Sequence, residues 1–435
     1  MIHMFRVAHF HINASQILMP FAKSIKLLFS YCSVLIGMAA ALCSTVAIKQ
    51  DNSLAEPLFL SALSFSAGLY AGDPNTISFF QYKFSKNERS CSGYWSARLI
   101  ASVVLSFPIS FLTPNLDIRS FIAGVLIGYI FPSGRVSDEA KFPVVTRRGG
   151  FIKVVASALC ISSLYMSGPA WLTTAFFMSG IASNYASSIP FQITYIINRN
   201  KNRSFRYQVK RFLCFDHDMK ARICGQPVRN DTISLIKNFL AGLPVHIYAT
   251  FGGFIFSFYR GNELLPDYYL WERILRGLGG TVLPLMSFTS TKISLNHNLS
   301  ESRSIKNLVK FCLVYAFVGL CISFLFYTLF SLSKPITMIL RFRLSAFDLL
   351  PLAICTVSLY VSTVLGTLVL QVGNYKRYFF LSTLAGAFSL PILVQLQVRP
   401  IMIISLTELC VSVVQLLSLF YLWYRNRSST RLQNT

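Results

Sequence analysis

The chain has 435 residues, of which 54% are hydrophobic and only 13% charged, with a formal net charge of +24. A soluble protein carries about 25% charged residues, so this composition places the chain in lipid and excludes a water-soluble enzyme or binding module. The basic excess is not a nucleic-acid signature either. Most lysines and arginines stand in short intervals between apolar runs, where they set topology and meet anionic headgroups, and no DNA- or RNA-reading motif is present.

Residues 1–22 lack the charged, apolar and small-residue sections of a secretory signal and read as an N-terminal cytoplasmic extension, with Met19 as an alternative start. His3, His9 and His11 within it read as a loose polar segment rather than a metal cluster. A bilayer crossing needs ~17–25 largely apolar residues. The N-terminal bundle, 23–197, holds six such stretches, at about 27–48, 54–80, 94–111, 121–131, 151–166 and 171–197. Gly72-Asp73-Pro74-Asn75-Thr76 breaks the second. Proline removes a backbone donor, and a break at membrane depth is tolerated only against protein or a water-filled cavity.

The interval 198–230 is the longest polar one. Arg199, Lys201, Arg203, Arg206, Lys210, Arg211, Lys220, Arg222 and Arg229 face only Asp216 and Asp218 there. Basic loops beside membrane helices stay in the cytoplasm. The C-terminal bundle, 231–424, holds spans at about 233–259, 268–290, 308–332, 347–372, 378–396 and 401–423, followed by a basic tail, 425–435. The expected fold is therefore all-α and polytopic, with about twelve transmembrane helices and both termini cytoplasmic. Charge counts agree. Inside intervals would hold Lys83, Lys86, Arg89, Arg135, Lys141, Arg147, Arg148, Lys292, Arg303, Lys306, Lys376 and Arg377. Outside ones would hold Lys49, Arg119, Arg260, Lys334, Arg341, Arg343 and Arg399.

Most of the 10 cysteines lie inside apolar runs, as small buried hydrophobes rather than a disulfide framework. Cys214, His217 and Cys224 match no standard zinc spacing, so no metal or cofactor is expected. No Walker loop, HExxH or GxSxG elbow occurs, and the short outside intervals leave no room for a catalytic lobe there.

Embedded charges are then the informative residues. A cation at mid-membrane costs about 2.5–3.5 kcal/mol on insertion scales. Arg98, Lys237, Arg273 and Arg276 either pair with acids, snorkel to headgroups or line an interior cavity. Arg273 and Arg276 share one helix face, beside only Glu272, which favours the cavity. An excess of positive charge there suits an anionic substrate, and a diphosphate offers several oxygens to forked guanidinium contacts. Asp73 and Glu272 are the ion-coupling candidates, with a turn role for Asp73 as its alternative. Asp348, Glu408 and His246 are also embedded.

Three stretches carry a family resemblance. FLSALSFSAGLYAGDPNTISFFQYKFSKNE (59–88) has a small-residue run, a glycine break and a polar exit. DYYLWERILRGLGGTVLPLMSFTSTKIS (267–294) has an aromatic start, a leucine/glycine centre and a proline-bearing end. VLGTLVLQVGNYKRYFF (364–380) pairs a small-residue helix with a Gly-Asn turn and a basic return. In this order and layout the chain resembles the multidrug/oligosaccharidyl-lipid/polysaccharide exporter superfamily, in its branch of O-antigen and polysaccharide-repeat flippases. The N-terminal extension departs from the usual short start, and the first span lacks the acid frequent in drug antiporters.

The resemblance implies two six-helix bundles around a central cavity lined by the first, second, seventh and eighth spans. It also implies movement of an undecaprenyl-diphosphate-linked oligosaccharide across the bacterial cytoplasmic membrane by alternating access. Lys237, Arg273, Arg276 and Asp73 then fall on lining spans, while Arg98, in the third, fits less well. Expected partners are the polyprenyl-diphosphate-linked oligosaccharide, membrane lipids and other membrane proteins of polysaccharide assembly, with no nucleic acid. The chain is not expected to be an enzyme. Alternatives are a cation-coupled drug or metabolite antiporter and a membrane polysaccharide polymerase or acyltransferase. As a flippase, alanine at Arg273 and Arg276 should abolish surface polysaccharide without loss of protein.

Overall fold

A computed structural model describes residues 38–49, 52–73, 94–112, 116–130, 158–163, 168–184, 226–282, 302–332, 344–366 and 376–432, with single positions at 32, 35, 36, 155, 165 and 166. The extension 1–22, Pro74–Thr76 of the expected break and the basic stretch 198–225 lie outside the described residues. Among those described, all regular structure is helical, as an all-α multi-span membrane protein requires.

The helices are α1 (Met38–Lys49), α2 (Asn52–Gly72), α3 (Tyr94–Leu112), α4 (Ile118–Ile130), α5 (158–162), α6 (Pro169–Asn184), α7 (Gln226–Ala249), α8 (Gly252–Arg260), α9 (Leu265–Gly280), α10 (Ser302–Leu332), α11 (Leu349–Thr363), α12 (Lys376–Gln395) and α13 (Pro400–Leu432). A helical segment thus stands at every expected span. The seventh is broken at Thr250-Phe251 into α7 and α8, just after Pro244, and α7 starts at Gln226, inside the interval 198–230.

Lipid-facing surfaces follow from helical periodicity. On α3, Val103, Phe107 and Phe111 repeat every four residues and are 64–75% exposed, and Leu313, Phe317, Leu320 and Phe324 form the same stripe on α10. Charged side chains go the other way: Arg98, Asp73, Glu272, Asp348 and Glu408 are all buried. Apolar outside and ionic inside is the reverse of a soluble protein and is the arrangement that hydrocarbon selects.

Four described helices are long and apolar enough to cross by themselves, at Leu308–Leu332, Ala346–Gly366, Arg377–Gln395 and Pro400–Arg425. By contrast α2, of 21 residues, is rich in serine, alanine and glycine because it faces other helices. Gly68 and Gly72 of α2 cross Gly124 and Gly128 of α4 so closely that a Cβ at any of them would overlap a backbone carbonyl of the other helix. This reciprocal four-residue glycine spacing lets backbones meet where lipid supplies no hydrophobic drive for association.

The first-half helices α2, α3, α4 and α6 pack on one another, and so do α7 to α13 of the second half; α3 meets α7, and α2 meets α9. The largest core crosses between the halves, running from Phe59, Leu63 and Tyr70 of α2 to Phe239, Phe254, Tyr269 and Leu275. Tyr70 stacks on Phe239 at 4.7 Å and on His246 at 3.4 Å. Just before α13, Arg399 donates to Asp348 Oδ1 at 2.7 Å, and Asp348 itself closes the capping box with Ser345 before α11.

Candidate functional site

Everything at the site hangs from α9. Its start is written locally: Pro266 is tolerated where the first amides have no helical partner, and Asp267 in the first turn complements the positive end of the helix. Tyr269, Glu272, Arg273 and Arg276 then recur at three- and four-residue steps and make one stripe. By ~1.5 Å per residue, Arg273 and Arg276 lie roughly 12 and 17 Å along α9 from its start.

Arg276 is held on all three of its guanidinium nitrogens. Its Nε donates to Glu272 Oε1 at 3.0 Å, Nη1 to Glu408 Oε1 on α13 at 3.5 Å and Nη2 to the Tyr248 carbonyl at 3.1 Å. Tyr248 sits in the last turn of α7, where carbonyls lose their helical donors, so the break in the seventh span supplies the third acceptor. Glu272 and Glu408 keep only 8% and 3% of their side-chain surface accessible, whereas Arg276 keeps 29%. The Arg276 side chain is therefore partly accessible although its carboxylate partners are buried.

Arg273 lies half-buried on the same stripe. Its guanidinium stacks 4.7 Å from the centre of the Tyr269 ring and donates through Nη2 to the Tyr269 hydroxyl. The Tyr269 ring in turn packs 4.9 Å from Phe59 of α2, and Gly277 faces the Met38 side chain of α1. The stripe consequently lies where the two halves of the chain meet.

The expected excess of positive charge needs correcting. Arg273 and Arg276 stand beside Glu272 and Glu408, so the four side chains balance. Nothing in the sequence around α9 indicates Glu408, which arrives from more than a hundred residues away; Tyr269 was legible as the aromatic four residues before Arg273.

The other predicted residues are not brought here. Arg98 is fully buried, away from the α9 stripe. Its Nη2 donates to the Gly72 carbonyl at 3.2 Å and to that of Gly128, with Asp73 Oδ1 3.6 Å away and the Tyr129 ring at 5.4 Å. Both carbonyls belong to the last turns of their helices, where dipoles present negative ends, so Arg98 clamps α2 to α4 at the foot of the glycine crossing. Asp73 is buried against that clamp. Lys237 is exposed on α7 beside Ile233 and Leu240, about 16 Å along the helix from Tyr248. His246 holds Thr250 through Nδ1 at 3.1 Å. No cluster of three or more metal-ligating side chains exists among the described residues.

No family profile matches the chain, and no curated protein does. Solved structures do. An inward-facing multidrug resistance MATE family transporter of the MOP superfamily superposes with TM-score 0.51 at 15% identity, covering 93% of this chain and 99% of that one. An outward-facing MATE transporter gives TM-score 0.43 at 13% identity, over 93% and 96%. The chain thus shares the fold of that inward-facing transporter over nearly its whole length, a multi-span all-α membrane fold as the sequence resemblance implies.

Proposed function

We propose that the chain is a flippase of the bacterial cytoplasmic membrane that carries an undecaprenyl-diphosphate-linked oligosaccharide from the inner to the outer leaflet by alternating access. The observation that carries this reading is the pair of arginines, Arg273 and Arg276, on one stripe of α9 where the halves meet. Guanidinium forks match diphosphate oxygens, and a site near the midplane between two rocking halves is how such transporters operate. In this reading no covalent chemistry takes place; the diphosphate is held while the sugar crosses in water.

Arg273 is the principal contact, because the Arg276 charge is already shared by two carboxylates. Arg273→Ala should leave protein abundance unchanged and abolish surface polysaccharide. Normal polysaccharide in that variant would remove Arg273 from the mechanism. Glycosyltransferase genes beside its gene would identify the cargo class.

The fold neighbours are named multidrug transporters, which favours a cation-coupled drug or metabolite antiporter as the second reading. Resistance assays separate the two: altered drug susceptibility on deletion, with intact polysaccharide, would select the antiporter.

A further inference from the structure

Polar contacts join the two halves at the end of the bundle where α1 ends and α2 and α9 begin, with the Phe59–Tyr269 ring pair beneath them; Tyr70 joins the halves again farther along α2, through Phe239 and His246. Lys49, the last residue of α1, pairs with Asp267 in the first turn of α9, and both side chains are nearly half accessible, at 41% and 48%. One step along α2, the Asn262 amide donates to Glu56 Oε1 at 2.7 Å, and the Asn262 carbonyl accepts from Ser257 of α8. Beneath this polar layer Phe59 packs on Tyr269, and Leu63 fills the space beside Gly253, where a Cβ would come within 2.8 Å of it. Each layer joins a first-half helix to α8, α9 or the turn between them.

We propose that these layers are an outer gate and that Tyr269 couples it to the site. The inference rests on the transport reading above and deepens it. Half-exposed ion pairs are weakly held, so the polar layer closes the end without locking it. Tyr269 belongs to both devices at once: one face of its ring meets Phe59 across the halves, while its hydroxyl and ring hold Arg273 one helical turn deeper. A diphosphate that draws the Arg273 guanidinium toward itself competes with the tyrosine for that cation. Release of Tyr269 loosens its contact with Phe59, and the gate opens over an occupied site. Tyr269 is thus a positioning residue for Arg273 and the link by which occupancy reaches the gate.

The test uses Glu56→Cys/Asn262→Cys in the full chain in liposomes, joined by a short reducible bifunctional thiol reagent, with each single variant as control. Cross-linking should stop transport, and reduction should restore it. Farnesyl diphosphate, as the probe, should slow cross-linking several-fold when Tyr269 is present and leave the rate unchanged in Tyr269→Leu. Tyr269→Phe, which keeps the ring contact and loses the hydroxyl, should show an intermediate response.

Transport that persists in the cross-linked protein overturns the gate. An equal probe effect in Tyr269→Leu overturns the coupling. If farnesyl diphosphate does not bind, the diphosphate reading fails and the coupling with it, whereas loss of transport on cross-linking still supports the gate for whatever cargo is carried.

Discussion

Consider the replacement of Arg276 by alanine. It leaves Glu272 and Glu408, 8% and 3% accessible, side by side without their shared cation, and it returns the Tyr248 carbonyl to an unmet state. Breaking a buried pair by deleting one partner costs about 3–5 kcal/mol, because the remaining charge is uncompensated. The 29% accessibility of Arg276 admits some water and sets the expectation at the lower end, about 3 kcal/mol. Adding Glu272→Gln and Glu408→Gln to Arg276→Ala removes the stranded charges and should recover most of that loss, leaving about 1 kcal/mol for the lost hydrogen bonds. The assay is equilibrium unfolding in mixed micelles, with transport measured per folded molecule. A triple variant as unstable as Arg276→Ala would refute the charge-balance argument. A stable triple variant that still transports would show that Arg276 organises the site without touching cargo. The two arginines, which the sequence treats alike, should therefore behave differently: Arg276→Ala loses protein and Arg273→Ala keeps it.

Gly124→Ala places a methyl group against the Phe65 carbonyl and should cost about 1–3 kcal/mol by overpacking, read by unfolding of the purified chain; an unchanged stability would mean that α2 and α4 do not cross there. Arg98→Met removes the clamp on Gly72 and Gly128 and should cost about 3 kcal/mol by leaving Asp73 buried without its cation. Its partner change, Asp73→Asn, should relieve part of that loss, and a double variant no better than Arg98→Met alone would disprove the pairing. In the turn before α4, burial acts upward on the Asp117 carboxyl, but hydrogen bonds from the Ser120 and Ser61 hydroxyls and from the Ser120 and Arg119 amides outweigh it and hold it below its ordinary value of 3.8. A folded value below the unfolded one adds stability that is present above about pH 4 and is lost as pH falls through the folded value. Asp117→Asn should abolish that acid-side decline, and identical acid limbs in the two proteins would contradict it.

The sequence by itself determined what depends on composition and short-range spacing: an all-α membrane chain, helices at the positions where apolar runs reach bilayer length, and the i,i+4 pairing of Glu272 with Arg276. Hydrocarbon accounts for that legibility, since it forces each span to satisfy its backbone internally and so to declare itself in consecutive residues. Tertiary structure alone decided which embedded charges do what. Arg98 and Arg273 look equivalent as isolated cations, yet one is fully buried at the C-terminal ends of two helices and the other lies half-buried between the halves. Glu408 meets Arg276 only because α13 packs on α9. The fate of a buried charge is set by partners that approach from distant parts of the chain, and in a low-dielectric interior a few ångströms of approach separate a fully buried clamp from a partly accessible cation.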